Sequence, residues 1–199
     1  MAYPEFFDKV ETIKVADPLA GVLGAFENGI YEFNFLEIVK SAGHSCPTVA
    51  GAYLITKEAL KALYPNEMII RGNIKVEFKE PLEEGVAGVI GNVVTQITGA
   101  TDKSGFKGLN GNFARHSLMS FNSNIASSAR FTRVDNGKSV DLFYDPSSVP
   151  PSPEMGPLMQ KLMGGMATPE EAKAFGAHWQ DRVARIFDNT SKVIKVVEL

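Results

Sequence analysis

The sequence contains a single cysteine, Cys46, so it cannot form an internal disulfide bond. Nothing in it therefore calls for an oxidising compartment. It also lacks a cluster of basic residues: 20 lysines and arginines and 23 acidic residues are mixed along the chain, for a net charge of −3. Nucleic acid requires a basic patch as its electrostatic partner, so we expect no nucleic-acid binding.

Long apolar runs are absent as well. Glycine, asparagine or a charged residue interrupts each run well before the roughly 18 residues that a membrane-spanning helix needs, so we expect no membrane association. The first ten residues contain an early acid and no cationic stretch followed by an apolar one, which argues against a secretory signal. The cytoplasm is the expected compartment.

What the chain does have is enough apolar sequence for a core: 44% of its 199 residues are hydrophobic and 22% are charged. Apolar spacing and turn residues predict the secondary structure. The predicted helices are a short one in 3–14, 33–42 ending at Gly43, about 47–64 beginning at Pro47, and one that Thr168-Pro169-Glu170-Glu171 opens. The predicted strands are 68–79, 115–122, 128–134 and 138–144, and 86–98 is predicted as a strand followed by a helix.

This order predicts an α+β fold: a mixed, mostly antiparallel sheet with helices packed on it and a helical C-terminal tail. Residues 1–145 are expected to form the main domain. Residues 146–199 then supply a proline-rich connector and a C-terminal helical extension packed on the same domain.

One short segment concentrates reactive side chains, namely Gly43-His44-Ser45-Cys46-Pro47. Glycine after one helix and proline at the start of the next place His44 and Cys46 on a tight connection. Unpaired amides at a helix N-terminus favour a thiolate, which binds metals or attacks electrophiles. An imidazole two residues away is a second donor, suited to zinc or another divalent transition metal.

Two donors leave a tetrahedral site incomplete, so a distant residue, water, substrate or another subunit would have to supply the rest. His116 is the candidate third metal ligand. The alternatives are that Cys46 is a small buried hydrophobe, that His116 is a strand residue satisfied by its neighbours, and that His178 is solvated. The candidate residues for binding a small-molecule ligand are Asn92, Thr98 and Arg115.

Several blocks resemble a known family. The segment from Gly43 to Pro47, followed by Gly51 inside a helix, resembles the Gly-His-x-Cys-Pro-Gly entry of the FmdE family, whose name derives from formylmethanofuran dehydrogenase. The stretch 92–101 and the hairpin 133–138 are similar to two further blocks of that family. The resemblance implies an α+β fold with a mixed sheet, often dimeric, and a metal held near His44 and Cys46.

Three functions remain open. The resemblance implies a metal-binding protein, an accessory or redox/C1-metabolism enzyme, with a zinc-type ion on His44 and Cys46 and a homodimeric assembly. Where the family has cysteine, cysteine and aspartate, this chain has Val89, Ala100 and Asn92, which favours a non-catalytic small-ligand-binding or assembly module without the metal. The third is a thiol enzyme with Cys46 as nucleophile and His116 or His178 as base.

Overall fold

Two mixed β-sheets form the framework of the protein in the computed structural model, which describes residues 2–199. The smaller sheet has three strands in the order β2-β1-β3, where β1 is antiparallel to β2 and parallel to β3. The larger sheet has the order β5-β4-β6-β7-β8, and only the β4–β5 pair is parallel. The strands are β1 Ile13–Ala16, β2 Ile30–Phe33, β3 Ile69–Ile70, β4 Ile74–Phe78, β5 Met119–Ser120, β6 Ala129–Arg133, β7 Ser139–Tyr144 and β8 Ile194–Glu198.

Seven α-helices accompany the sheets within the described residues, so the predicted α+β class is confirmed. They are α1 Pro18–Val22, α2 Phe35–Ala42, α3 Pro47–Leu63, α4 Ala87–Thr98, α5 Met155–Met163, α6 Pro169–Asp188 and α7 Thr190–Val193. The central one is α3: 11 of its 17 residues are buried, and it packs against α4, α6 and β7. A helix that is apolar on most of its surface is stable only when it is enclosed in this way.

Local chemistry explains where the main helices begin and end. Asn34 and Glu37 form a capping box at the start of α2, and Thr168 and Glu171 form another at the start of α6. Gly43 ends α2 with φ of 77°, a left-handed conformation that favours glycine. Pro47 begins α3, where its missing amide costs no hydrogen bond.

Some sequence-based predictions are wrong. Residues 3–14 do not form one helix: a 3-10 helix covers Glu5–Lys9, and β1 then begins at Ile13. The stretch 86–98 contains no strand, because α4 occupies 87–98. Of the strand predicted over 115–122, only Met119–Ser120 pairs with β4. The single strand predicted over 68–79 is divided in two, because β3 pairs with β1 in the smaller sheet and β4 pairs with β6 in the larger one. The remaining predicted helices and strands have counterparts close to their expected positions.

The C-terminal tail is helical only in part. After α6 and α7 the chain forms β8, which pairs antiparallel with β7 as an outer strand of the larger sheet. The segment after residue 145 thus contacts the rest of the chain through α6 on α3 and through β8 on β7. The domain boundary at 145/146 stays a prediction. No helix in the described part of the chain has the length and apolarity to cross a membrane.

Candidate functional site

The segment between α2 and α3 is held at both ends. Gly43 turns the chain at the end of α2, and Cys46 is the extended N-cap residue of α3, with φ of −149° and ψ of 168°. The Cys46 Sγ accepts a hydrogen bond from the Val49 amide at 3.4 Å. This is the bond that an N-cap side chain makes with the third residue of a helix. The sequence-based placement of His44 and Cys46 at a helix start is therefore confirmed.

His44 has one ring nitrogen fixed and one available. Its side chain is exposed, and Nδ1 lies 3.0 Å from the Ala42 carbonyl oxygen. A carbonyl oxygen can only accept, so Nδ1 carries the proton and donates. In the neutral ring, Nε2 then has its lone pair free. A histidine in this state is equipped to bind a metal ion or to accept a proton.

An open cleft of about 460 Å³ surrounds the start of α3, and we call it the α3 cleft. Three parts of the chain meet there: the α2–α3 connection, the beginning of α4 and the middle of α6. The cleft is lined by His44, Cys46, Pro47, Thr48, Val86, Val89, Trp179 and Arg182. It brings together the two predicted metal ligands with an aromatic ring and a cation. Cys46 is 9% exposed, so only a small part of this lining residue is open to solvent.

Trp179 and Arg182 are site residues that sequence reasoning did not identify as such. The Trp179 indole donates from Nε1 to the Ser45 carbonyl oxygen at 2.9 Å, and Gln180 donates to the same oxygen at 3.2 Å. These bonds fasten α6 to the connection that carries His44 and Cys46. Because Trp179 and Arg182 are three residues apart, they lie on one face of α6. That spacing was the available signal in the sequence.

Arg182 brings an unpaired positive charge to the α3 cleft. Its Nε donates to the Val149 carbonyl oxygen at 2.9 Å. Within residues 2–199, no carboxylate forms an ion pair with it. Among the described residues that line the cleft, Arg182 is the only one with a permanent formal charge. The site is therefore electrostatically suited to a negatively charged group.

A second cavity, of about 310 Å³, lies next to the α3 cleft, and we call it the apolar recess. Val86 lines both. Tyr144 lines the recess, and its hydroxyl donates to the carbonyl oxygen of Pro47, a cleft residue, at 2.7 Å. Burial raises the pKa of Tyr144 above its ordinary range, so the phenol stays protonated and remains a donor.

Thr98 and Arg115 lie outside the α3 cleft, at the C-terminal end of α4. The Thr98 hydroxyl donates to the Val94 carbonyl oxygen at 2.7 Å and accepts from the Ala100 amide at 3.1 Å. Arg115, 6% exposed, donates to Asp17 at 2.6 Å, and Arg71 binds the other oxygen of the same carboxylate at 2.9 Å. The Thr98 hydroxyl and the Nη2 of Arg115 thus have protein partners, whereas the buried Nε of Arg115 has none among the described residues. Their predicted ligand role stays a prediction.

Asp17, Arg71 and Arg115 form a group that we call the Asp17 cluster. Burial alone raises the pKa of Asp17, but the Arg71 and Arg115 guanidiniums and the Ala20 amide outweigh it and hold that pKa below its ordinary value. The carboxylate is therefore ionised in the folded protein at neutral pH. The cluster joins the end of β1 to the loop that follows α4, since Arg71 also donates to carbonyl groups at the end of that helix.

The other two predicted residues differ in their relation to His44. Asn92 is exposed on α4 and lines a small recess of about 130 Å³ together with His44. His116 is in the loop after α4, and its Nδ1 lies 3.0 Å from the Ser117 hydroxyl. His116 lines neither the α3 cleft nor the recess of Asn92. From residue 2 to residue 199, no three histidine, cysteine, aspartate or glutamate side chains gather in a group that could hold a metal ion.

Comparison with known proteins adds no assignment. No protein-family model matches the chain, and no curated protein matches it at a significant level. The resemblance to the FmdE family and the third metal ligand therefore stay predictions.

Proposed function

We propose that this protein binds a small-molecule ligand in the α3 cleft, next to a zinc-type divalent transition metal ion held by His44 and Cys46. The observation that carries the proposal is the state of His44. Its Nδ1 donates to a backbone carbonyl, and its Nε2 is free in a cleft that Cys46 also lines. Metal-binding histidines usually donate their second nitrogen to a carbonyl or carboxylate in this manner.

The choice of residue at the start of α3 supports a role for the sulfur. Serine, threonine, asparagine and aspartate are the preferred N-cap residues of helices. Three other helices follow this preference: Asp17 caps α1, Asn34 caps α2 and Thr168 caps α6. By contrast, α3 uses cysteine, at a cap that lines the cleft together with a histidine. Sulfur adds a soft metal donor that an oxygen cap would lack.

The donor set fits an open site rather than a closed one. Two protein donors leave two positions of a tetrahedral ion for water, ligand or a residue of a partner subunit. When bound, the ion would act as a Lewis acid toward a ligand in the cleft. The chain itself would position that ligand through the Trp179 ring and the Arg182 charge. An accessory or redox/C1-metabolism role is what the family resemblance implies for such a site.

A second candidate is ligand binding without the metal. It is favoured by the isolation of the two donors, since no third histidine, cysteine or carboxylate among residues 2–199 joins them. In this case Cys46 only caps α3. The α3 cleft would still bind its ligand, and a chelator would have no effect.

Measurements of metal binding distinguish these two candidate functions. The purified protein should contain close to one zinc-type ion per chain by elemental analysis. Replacing the ion by Co²⁺ should give a thiolate-to-cobalt charge-transfer absorption band, because Cys46 would be a direct ligand. His44→Ala should lower the affinity for Co²⁺, and Cys46→Ser should abolish the charge-transfer band.

His178→Ala is the matched control, because His178 is next to Trp179 on α6 but does not line the cleft. It should leave Co²⁺ binding unchanged. His116→Ala tests the predicted third ligand in the same assay. A purified protein that carries no metal and binds Co²⁺ without a thiolate band would reject the metal site in favour of the second candidate.

Compartment and assembly complete the proposal. The cytoplasm is the proposed location, supported by a single cysteine that has no partner for a disulfide. A homodimer is the proposed assembly, supported by the family resemblance alone. The molar mass from light scattering, against 21.6 kDa for one chain, tests it directly.

A further inference from the structure

We propose that the α3 cleft and the apolar recess together bind one ligand, a small organic carboxylate whose head contacts Arg182 and whose hydrocarbon tail occupies the recess. This inference names the ligand class and rests on the proposed ligand-binding role of the cleft, but it does not require the metal ion.

The first step is that the two cavities adjoin. Val86, at the start of α4, lines both of them and is 44% exposed, so the two cavities meet at this residue. Tyr144 forms the other part of the boundary. Its ring is in the recess, and its hydroxyl is bonded to the backbone of Pro47 in the cleft. Both volumes, about 310 and 460 Å³, lie in the range of small-molecule sites.

The second step is that the two cavities differ in chemistry. The cleft contains the Arg182 guanidinium, which has no carboxylate partner among the described residues, and the imidazole of His44. The recess is walled by the apolar side chains of Ile55, Phe78, Ile90 and Phe143. Lys79 and Glu80 also line it, but both are exposed and their charges are opposite. One end of the combined site therefore favours an anion, and the other favours hydrocarbon.

The third step is that the anion would gain a directed partner. An arginine binds a carboxylate through parallel N–H donors, and such charge-assisted bonds are stronger than neutral ones. The Nε of Arg182 is held by the Val149 carbonyl, which fixes the side chain before a ligand arrives. A preorganised donor loses less conformational entropy on binding. The hydrocarbon tail of the ligand would add affinity, because its apolar surface would be removed from water.

Trp179 makes the test specific to this site. It is the only tryptophan in the sequence, and it lines the α3 cleft. Its fluorescence should therefore report occupancy there. The probes are straight-chain carboxylates from acetate to decanoate and the primary alcohols of the same lengths. Titrations are made with the metal-loaded protein and again after chelation, so that the ligand proposal is tested separately from the metal proposal.

We expect carboxylate affinity to rise about fourfold for each added methylene until the recess is filled, as burial of a CH₂ group implies. Arg182→Gln should weaken carboxylate binding about tenfold or more and leave alcohol binding unchanged, because an alcohol head carries no charge for Arg182 to bind. Arg182→Lys should keep the preference for carboxylates. Ala126→Phe, on the exposed side of the recess, should remove the gain from long chains and leave short carboxylates unaffected.

Leu23→Ser is the matched control for general apolar binding, since Leu23 is 64% exposed at the end of α1 and lines neither cavity. It should change nothing. Thermal unfolding of each variant verifies that it is folded. The proposal fails if Trp179 does not respond to any carboxylate, if alcohols bind as tightly as carboxylates, or if Ala126→Phe keeps the full dependence on chain length.

Discussion

The two ends of α4 have opposite surroundings. At the C-terminal end, Arg71 donates to the Gln96 and Ile97 carbonyl oxygens and joins Arg115 on the Asp17 carboxylate. At the N-terminal end, Val86 and Val89 line an open cleft beside Arg182 and His44. Both ends place arginine near a helix terminus. They differ in whether the charges have protein partners.

That difference separates structural from functional polar residues in this chain. Asp17 is 3% exposed, and both of its oxygens are bound by arginines. Two backbone amides and the Tyr31 hydroxyl donate to them as well, so no acceptor site remains for a ligand. Arg182 and the Nε2 of His44 have no such partners in the described residues. Buried charges that are paired hold elements together, whereas unpaired polar groups in a cavity are available to a ligand.

The largest expected effect on stability comes from removing the negative charge of the Asp17 cluster, at the C-terminal end of α4. Asp17→Asn keeps an N-cap side chain on α1 but removes the charge that faces Arg71 and Arg115. The buried guanidinium of Arg115 and the partly buried one of Arg71 would then lack compensation, and we expect a loss of about 3–5 kcal/mol in the free energy of unfolding. Urea denaturation measures it. Glu11→Gln, which removes an exposed partner of Lys57 and Lys61, is the control and should cost no more than about 1 kcal/mol.

A pH dependence follows from the same carboxylate. The folded-state pKa of Asp17 is lowered, so its contribution to stability is present above its unfolded-state pKa and is lost as the pH falls through the folded-state value. The wild-type protein should therefore lose stability on acidification more steeply than Asp17→Asn. Urea midpoints measured between neutral and strongly acidic pH compare the two. Parallel curves would mean that Asp17 does not carry this linkage.

Gly51→Ala tests how closely α3 packs against Tyr144, which lines the apolar recess. An added Cβ would lie 2.3 Å from Cε1 of the Tyr144 ring. Displacing that ring should cost about 1–3 kcal/mol. A loss of stability in this variant is informative, because alanine normally stabilises a helix by about 1 kcal/mol relative to glycine. Urea denaturation measures the change.

The matched control for this variant is Gly176→Ala in α6, where an added Cβ would have no neighbour within 4 Å. It should be neutral or stabilising. In a Tyr144→Leu background, Gly51→Ala should cost less than it does in the wild type, since the obstructing ring is gone. An equal cost in both backgrounds would show that Tyr144 does not set the requirement for glycine.

The smallest expected effect on stability is that of Cys46→Ser. Serine is a good N-cap residue and can accept the Val49 amide in place of sulfur, so we expect a change within about 0.5 kcal/mol. By contrast, Thr168→Ala should cost about 1 kcal/mol, because alanine cannot cap α6. Thermal unfolding compares them. A large loss in Cys46→Ser would mean that the cysteine serves packing and would weaken its proposed role as a metal donor.

Much of the fold could be predicted from local signals. Pro47, Gly43 and the Thr168 capping box mark helix boundaries because their chemistry acts within a few residues. The β6–β7 hairpin was predicted in the same way, because the turn residues Asp135-Asn136-Gly137 lie between its two strands. The misses involve partners that are distant in sequence. Ile13 continues the helical spacing of the apolar residues before it, but it begins β1, which pairs with β2 and β3. Likewise, β8 pairs with β7, which ends far earlier in the sequence, at residue 144.

The candidate site shows the same division. His44 and Cys46 could be identified because they are neighbours at one helix start. The spacing of Trp179 and Arg182 places them on one face of α6, but the sequence does not show that this face reaches a cleft formed more than 130 residues earlier, as the Trp179–Ser45 bond illustrates. Arg115 was assigned to a ligand because a sequence does not reveal that Asp17 lies 2.6 Å away.

The sequence by itself determined the α+β class, the main helix boundaries and the placement of His44 and Cys46 at a helix start, since these depend on periodicity and on capping within single segments. Only the tertiary structure decided which polar residues are paired and which line a cavity. Pairing depends on distances between segments that are far apart in the chain, and packing sets those distances. The Asp17 cluster and the α3 cleft both contain arginine, and only their surroundings distinguish a charge that is paired from one that is available.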